Sequence, residues 1–560
     1  LTIPPGWVFP ACIILLEVPA GISGGKKYLA TSRSEYATIG WELPINHPFR
    51  GGQNAADGRA IIFKLLLHLA DMEPPHSRAA GVAFSPKGIS ILADPLFFSP
   101  KPAHVPPLEP DFRPAALATR AFRRKTEAAG GVPLVIGLER EHGRTARYET
   151  RVFPEGHPLA AANNRHVERL VKFLLWQRGG WKVFVGGPAS IGAHIRREYS
   201  PDGGRRFDFF FMGRDVYEKE FTVVACAPEE VPPARESGMP LGRHLEGCRI
   251  GFDLGASDRK VSAVIDGRPV YSEEVVWEPR KHADPDYHYR EIRTALQSAA
   301  ARMPRVDAVG GSSAGIFIDN RPMIASLFRA VPPERFGEVR NLFLRLREEM
   351  GVPLEVINDG DVTALAGAMS LEDNAVLGVA LGSSEAAGYV DGSGNVMGWL
   401  NELAFAPVDY RADAALDEWS GDRGVGSQYF SQQCVFRLAP KAGIAIPADL
   451  TDADKLKFVQ EKLELGDSGA VKIWESMGVF LGCGIAHYAD FYPLRHVLIL
   501  GRCTSGRGGS LLLEGALRVL RAEFPEHGSI HIQLPDEKSR RVGQSIAAAS
   551  LPVLRREEEK

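Results

Sequence analysis

The chain has 560 residues, is 44% hydrophobic and 24% charged, and carries a formal net charge of -3. It is too long for a single core, so about two to four domains are expected, of ordinary globular composition. The near-neutral charge excludes a general affinity for nucleic acid or an anionic membrane surface.

Trp7 to Ile22 is apolar but short, and is interrupted by Pro10, Glu17 and Pro19. Without a basic leader or a cleavage site it reads as a buried strand, not a signal or membrane span. Leu1 stands first where Met is usual, so a segment upstream is expected. Asn54 to Leu69 reads as a helix. Proline-rich stretches at Pro95–Pro114 and Ala227–Pro240 predict extended connections, and the second places a boundary near residue 245. Between them, Arg165–Trp176 predicts a helix and Trp181–Val185 a strand. Gly186-Gly187-Pro188 then leads to a helix near Ile191, and Phe207–Met212 reads as a buried strand. Residues 1–245 carry no catalytic motif. The basic pairs Arg196–Arg197 and Arg540–Arg541 read as solvated faces. The six cysteines (Cys12, Cys226, Cys248, Cys434, Cys483 and Cys503) show no CxxC spacing, which predicts reduced thiols and a cytoplasmic location.

Beyond residue 245 two segments look alike. Ile250-Gly-Phe-Asp-Leu-Gly-Ala-Ser257 and Leu377-Gly-Val-Ala-Leu-Gly-Ser-Ser384 share their spacing of Gly, Leu and Ser. Each is followed by a second apolar run and an Asp-Gly pair, Asp266-Gly267 and Asp391-Gly392, a hairpin signal. A duplicated α/β domain with a cleft between its copies follows. Gly/Ser turns bring backbone N–H groups close to phosphate oxygens. Asp253 would repel phosphate there unless it holds a divalent cation, usually through water.

From about Cys248 to Leu551 these residues resemble the ROK family of bacterial sugar kinases and repressors, within the actin and hexokinase superfamily. Asp253-Leu-Gly-Ala-Ser257 resembles its first phosphate motif and Val379–Gly388 its second. Ala308–Ile316 resembles the strand and turn that usually end in PGPVD, and Val356–Ala364 resembles NDANAAA. Leu498–Gly506 resembles the adenosine-contacting turn, and Val542–Ala548 the closing helix of small residues.

The resemblance implies duplicated RNase H-like (actin-like ATPase) domains, α/β in class, with an additional N-terminal α+β or α/β domain. Residues 1–245 would be that domain, 246–372 the first lobe and 373–560 the second. It implies ATP-dependent phosphorylation of a sugar hydroxyl with Asp359 as the base, although Asp is also a favoured helix cap and Asp361 is the alternative. Asn358, Glu402, Ser313 and Gly315 would bind the sugar. Asp253, Gly255, Ala256, Ser257, Gly382, Ser383, Ser384, Gly501, Arg502 and Thr504 would bind ATP, with Mg²⁺ on Asp253 through water. A homodimer is the expected assembly, with no nucleic-acid or membrane partner.

Departures from the family pattern are informative. GTGIGGG reads Gly382-Ser-Ser-Glu-Ala-Ala-Gly388, so Glu385 is expected to bring negative charge near the phosphates. GEIGH reads Asn401-Glu402-Leu-Ala-Phe405, without its His. The zinc segment CGxxGCxE reads Ser420–Ser427, so no zinc is expected; Asp422 and Gln428 are candidates to replace its sugar-binding Glu. A usual hexose ligand set is incomplete, which points away from ordinary glucose. The alternatives to an enzyme are a sugar-sensing regulator, disfavoured by the absence of a basic recognition helix, and a pseudokinase.

Overall fold

The computed structural model describes residues 98, 100–236, 241–534 and 537–554, with the side chains of 537–542 left aside. The expected strand at Trp7–Ile22, the helix at Asn54–Leu69 and the side chains of Arg540–Arg541 lie outside the described residues. The protein is a mixed α/β structure.

Three larger sheets follow one another along the chain. The first has order β2-β1-β3-β4, from Val132–Glu139 (β1), Thr145–Val152 (β2), Lys182–Gly186 (β3) and Thr222–Cys226 (β4). The predicted helix at 165–176 is Ala161–Arg178, and the strand and helix around Gly186 are β3 and Ala189–Glu198. Phe207–Met212 is not a strand. It forms the helix Arg206–Phe210 and the π-turn Phe211–Val216, because Phe207 and Phe211 fall on one helical face and both stack on Trp176. Asp208 points inward from the same helix to Lys172, at 2.8 Å, and to the Trp176 indole, at 2.7 Å. An aromatic run without alternation gives no period from which to choose between the two structures.

The second sheet is built from Cys248–Leu254 (β5), Asp258–Ile265 (β6), Arg268–Val276 (β7), Ala308–Ser313 (β8) and Leu354–Asn358 (β11), in the order β11-β8-β5-β6-β7. β5, β8 and β11 run parallel, while β5, β6 and β7 form an antiparallel meander. The predicted Asp-Gly hairpin joins β6 to β7 with both turn residues left-handed, φ 46° at Asp266 and 78° at Gly267. Ile316–Ile318 (β9) and Arg321–Ile324 (β10) form a small hairpin beside β11.

The third sheet, β13-β12-β14-β15, contains Val376–Leu381 (β12), Glu385–Val390 (β13), His496–Leu500 (β14) and His531–Gln533 (β15). It again opens with an antiparallel hairpin and continues with parallel strands. No second Asp-Gly hairpin follows. The Asp391 carboxylate instead accepts the N–H groups of Ser393 and Asn395, leaving only an isolated Val390–Val396 bridge.

Helices Asp359–Leu371 and Glu537–Ala549 pack between the second and third sheets on a seam that includes Ile357, Leu365, Val376, Leu498 and Ala547. Glycine permits the approach. A Cβ at Gly388 would overlap the backbone of Gly360, and one at Gly310 the carbonyl of Ala548. Residues 112–223 share one apolar core with residues from 377 to 532, whereas the second sheet has its own core with Ile292, Leu296, Phe343 and Leu346.

Candidate active site

Three parallel strands of the second sheet end together. In the pairing register Ser312 on β8 lies opposite both Asp253 on β5 and Ile357 on β11. Strand spacing sets the Asp253 and Ile357 backbones about 10 Å apart, with Ser312 between. The Ser312 hydroxyl donates to Asp253 at 2.8 Å. Asp359 opens the helix that follows β11, so its carboxyl sits at the carboxyl edge of the parallel strands, where ligands of open α/β sheets bind.

The helix cap is Asn358, not Asp359. The Asn358 side-chain oxygen accepts the Gly360 N–H at 2.7 Å while its amide donates to the Gly315 carbonyl at 2.8 Å. Asp359 Oδ1 accepts the same Gly360 N–H at 3.0 Å, so the aspartate adds only a second, longer bond to a position that Asn358 already caps. Burial and the Asp253 charge nearby push the Asp359 carboxyl up to about 6, against the opposing pull of backbone N–H groups that include Gly360 at 3.0 Å. Burial also raises Asp253, against the opposing pull of Ser312 and of Lys260, whose ammonium lies 3.9 Å from it.

Asp361 is buried and differently occupied. Its Oδ1 accepts the Tyr389 N–H at 3.1 Å and the Asn401 amide at 2.9 Å. Tyr492 donates to Asn401 at 2.9 Å. Burial lifts Asp361 to about 7, and burial with the charges of Asp359 and Asp361 lifts Glu402 to about 8. Asn401, left-handed at φ 50°, stands where the family motif has glycine. Its N–H donates to Gln177 O at 2.9 Å, and that of Glu402 to Trp176 O at 3.0 Å. The end of helix Ala161–Arg178 thus holds the loop that carries Glu402.

The remaining predicted residues divide among three turns and the β8 edge. Gly255, Ala256 and Ser257 form the β5–β6 turn, and Gly382, Ser383 and Ser384 the β12–β13 turn; Ala256, Ser257, Ser383 and Ser384 are exposed. Gly501, Arg502 and Thr504 follow β14, with Arg502 exposed and the Thr504 hydroxyl on the Gly501 carbonyl at 2.7 Å. Since β12 and β14 are parallel neighbours, their two turns leave the same sheet edge. Ser313 is fully buried with no partner for its hydroxyl among the described residues, and Gly315 adopts φ 130° behind Asn358.

The expectation for Glu385 is corrected. Its carboxyl does not face the phosphate turn. The side chain is buried, accepts the Tyr488 hydroxyl at 2.8 Å, and is raised to about 8 by burial, so it is largely neutral at pH 7. Asp422 is held by Arg205 at 2.7 Å, Arg169 at 3.3 Å and Lys172 at 3.4 Å. The Gln428 carbonyl accepts from Arg437 at 3.0 Å. Sequence reasoning missed Asn401, Tyr492 and Lys260. Only Lys260, three residues past a turn flanked by Asp253 and Asp258, gives a local signal.

Among the described residues no group of three His, Cys, Asp or Glu side chains is arranged to hold a metal, and no helix is long and apolar enough to cross a membrane. No family model and no curated protein matches the chain. Solved structures do. One is a ROK family glucokinase from Streptomyces griseus in complex with glucose and AMPPNP, at 20% identity over 54% of this chain and 99% of that one, TM-score 0.40. Another is a ROK hexokinase from Thermus thermophilus, at 17% identity over 54% and 97%, TM-score 0.41. A third is a ROK family transcriptional regulator, a homolog of the E. coli MLC protein, at 17% identity over 55% and 78%, TM-score 0.42. All three of these solved structures are of ROK proteins.

Proposed function

We propose that the protein phosphorylates a hydroxyl of a sugar or sugar derivative, with Asp359 as general base and Mg-ATP as donor. The observation that carries this reading is two carboxyls at one strand edge, Asp253 held by Ser312 and Asp359 raised to about 6 by burial and the Asp253 charge, with Asn358 at the helix cap. A base of that pKa is ionised at neutral pH, yet strong enough to accept a proton as the acceptor oxygen attacks.

The chain's own donors fit the nucleotide. The exposed Gly/Ser turns at 255–257 and 382–384 leave the edges of two separate sheets, and Asp253 offers a carboxylate beside the first. Asp253 would hold the magnesium through water, the two turns the phosphates, and the Gly501–Thr504 turn the adenosine. Mg-ATP, when bound, supplies the transferable phosphoryl group and the charge that shields it. Asp359 takes the acceptor proton, and Glu402, neutral below about pH 8, can donate to or accept from a sugar hydroxyl. Asn358 and Gly315 shape the floor, with Ser313 behind them.

On this reading the second and third sheets head duplicated lobes, 246–372 and 373–560, with 1–245 as the added region of a cytoplasmic enzyme. We take the assembly to be a homodimer without nucleic-acid or membrane partners. Sugar sensing without phosphotransfer is the second reading. Lys260 favours it, because an ammonium 3.9 Å from Asp253 competes with a divalent cation for that carboxylate. ADP release from Mg-ATP across a sugar panel, with Asp359→Asn as control, separates the two. A sugar-dependent signal lost in the variant supports the kinase, and silence from folded protein refutes it.

A further inference from the structure

A cavity of about 270 Å³ lies against the outer edge of β11. One wall comes from the added region, with Glu141 and Tyr217; another is the β9–β10 hairpin with Asp319; a third is Glu355 on β11. Trp399 and Asp361 also belong to the lining. The hairpin is fixed to β11 by Asn320, whose side chain accepts the Val356 N–H at 2.6 Å and donates to the Leu354 carbonyl at 3.1 Å, so the wall is built rather than incidental.

Neither Asp359 nor Glu402 lines this cavity, whereas Gly315, Asn358 and Asp361 do, so the residues assigned to the acceptor floor form the wall the two sites share. Residues two apart on a helix point about 200° from each other around its axis. Asp359 therefore faces Asp253 while Asp361 faces Tyr389, Asn401 and the cavity. Both hydrogen bonds of Asp361 end on Oδ1, which leaves Oδ2 for a ligand hydroxyl.

We propose that this cavity is a second binding site, for a small neutral polyhydroxylated molecule of monosaccharide size, set back to back with the active site and acting on it through Asp361. Its effect on catalysis rests on the reading of Asp359 as the base; the binding does not.

The lining selects the ligand class. It holds four carboxyl side chains (Glu141, Asp319, Glu355 and Asp361) against two guanidinium groups (Arg144 and Arg347), and Arg144 already pairs with Glu141 at 2.8 Å. No positive surplus is left for a phosphate or carboxylate ligand. Carboxyl oxygens accept from hydroxyls and guanidinium groups donate to them, while the aromatic side chains suit the C–H faces of a sugar ring. The volume lies just below the roughly 300–1,000 Å³ of pockets for drug-sized ligands, which suits a ligand as small as one monosaccharide.

Calorimetry on the full chain carrying Asp359→Asn, which removes turnover, tests the proposal with neutral monosaccharides and polyols beside a sugar phosphate. A neutral compound should bind, retain its affinity when Glu402→Ala is added on the acceptor side, and bind about tenfold more weakly or worse with Ile318→Trp, which fills the cavity. Glu355→Ala, a milder change, should weaken it in the same direction and decides the matter if the tryptophan variant fails to fold. Unchanged affinity in both cavity variants, preference for the sugar phosphate, or no binding by any neutral compound overturns the proposal. Cavity binding in a wild-type protein that releases no ADP on any sugar would refute the kinase reading and leave this site standing.

Discussion

Replacing Glu385 by glutamine should cost stability in acid, and the difference should move in the variant's favour as pH rises through neutrality. The carboxyl is 3% exposed, its Oε1 accepts from Tyr488, and its Oε2 has no partner among the described residues. Burial, reinforced by the charge of Glu402, outweighs the Tyr488 bond and raises the group from 4.5 to about 8. Below pH 4.5 the folded and unfolded chains both hold the proton. Between pH 4.5 and 8 the folded state retains a proton that the unfolded state releases, so stability falls as pH rises, at about 1.36 kcal/mol per pH unit. By pH 7 the loss reaches roughly 3 kcal/mol. Glutamine keeps the shape and the acceptor for Tyr488 but cannot ionise. Its amide meets the same unpartnered position, a constant penalty of about 1–3 kcal/mol that shifts the whole curve without tilting it. The slope of the difference is therefore the quantity to read. Urea unfolding of both proteins, followed by tryptophan fluorescence from pH 5 to 8, gives it directly. A gap that widens in favour of the variant as pH rises is expected; a constant gap would refute the reasoning. On the kinase reading the apparent KM for ATP should not move, because the carboxyl faces the core.

The pH profile of kcat/KM should rise about tenfold per pH unit in acid and level off above about pH 6, as the Asp359 carboxyl ionises, and steady-state rates measured below pH 6 would reveal the missing limb if the assignment is wrong. Gly388→Ala should lower the melting temperature sharply or abolish soluble expression, by about 3 kcal/mol or more, since its Cβ would overlap the Gly360 backbone; a normal melt would mean β13 and the helix Asp359–Leu371 can separate there without penalty. Asn401→Ala should destabilise by about 2–4 kcal/mol through the lost bonds to Asp361 and Tyr492 and the left-handed backbone. Asn401→Gly relieves only the backbone and should fall between alanine and wild type in denaturant titrations.

The strands that carry the site are the most legible part of the sequence. β5, β8, β11, β12 and β14 are short apolar runs that stop at Gly, Ser or Asp, as buried parallel strands do. The choice between Asn358 and Asp359 as cap is not legible, because either residue type can fill that position. The orientation of Glu385 was within reach. Glu385, Ala387 and Tyr389 alternate along β13, and that parity sets the acid on the buried face with the tyrosine rather than among the phosphate donors. The Asp361–Asn401 bond joins residues 40 apart in sequence through a core that no local pattern describes. The aromatic helix at Phe207 is chosen by Trp176, again a partner distant in the chain.

The two main-chain bonds from Trp176 and Gln177 to the Asn401–Glu402 loop have an electrical side. Helix Ala161–Arg178 ends there, and the last carbonyls of a helix carry about half a negative charge. That pole points at the loop bearing Glu402 and adds to the pressure that keeps this carboxyl protonated. Because the field comes from backbone dipoles, changing the side chains of Trp176 or Gln177 leaves it in place. A region that carries no motif of its own thereby helps to set whether Glu402 offers a proton or a lone pair.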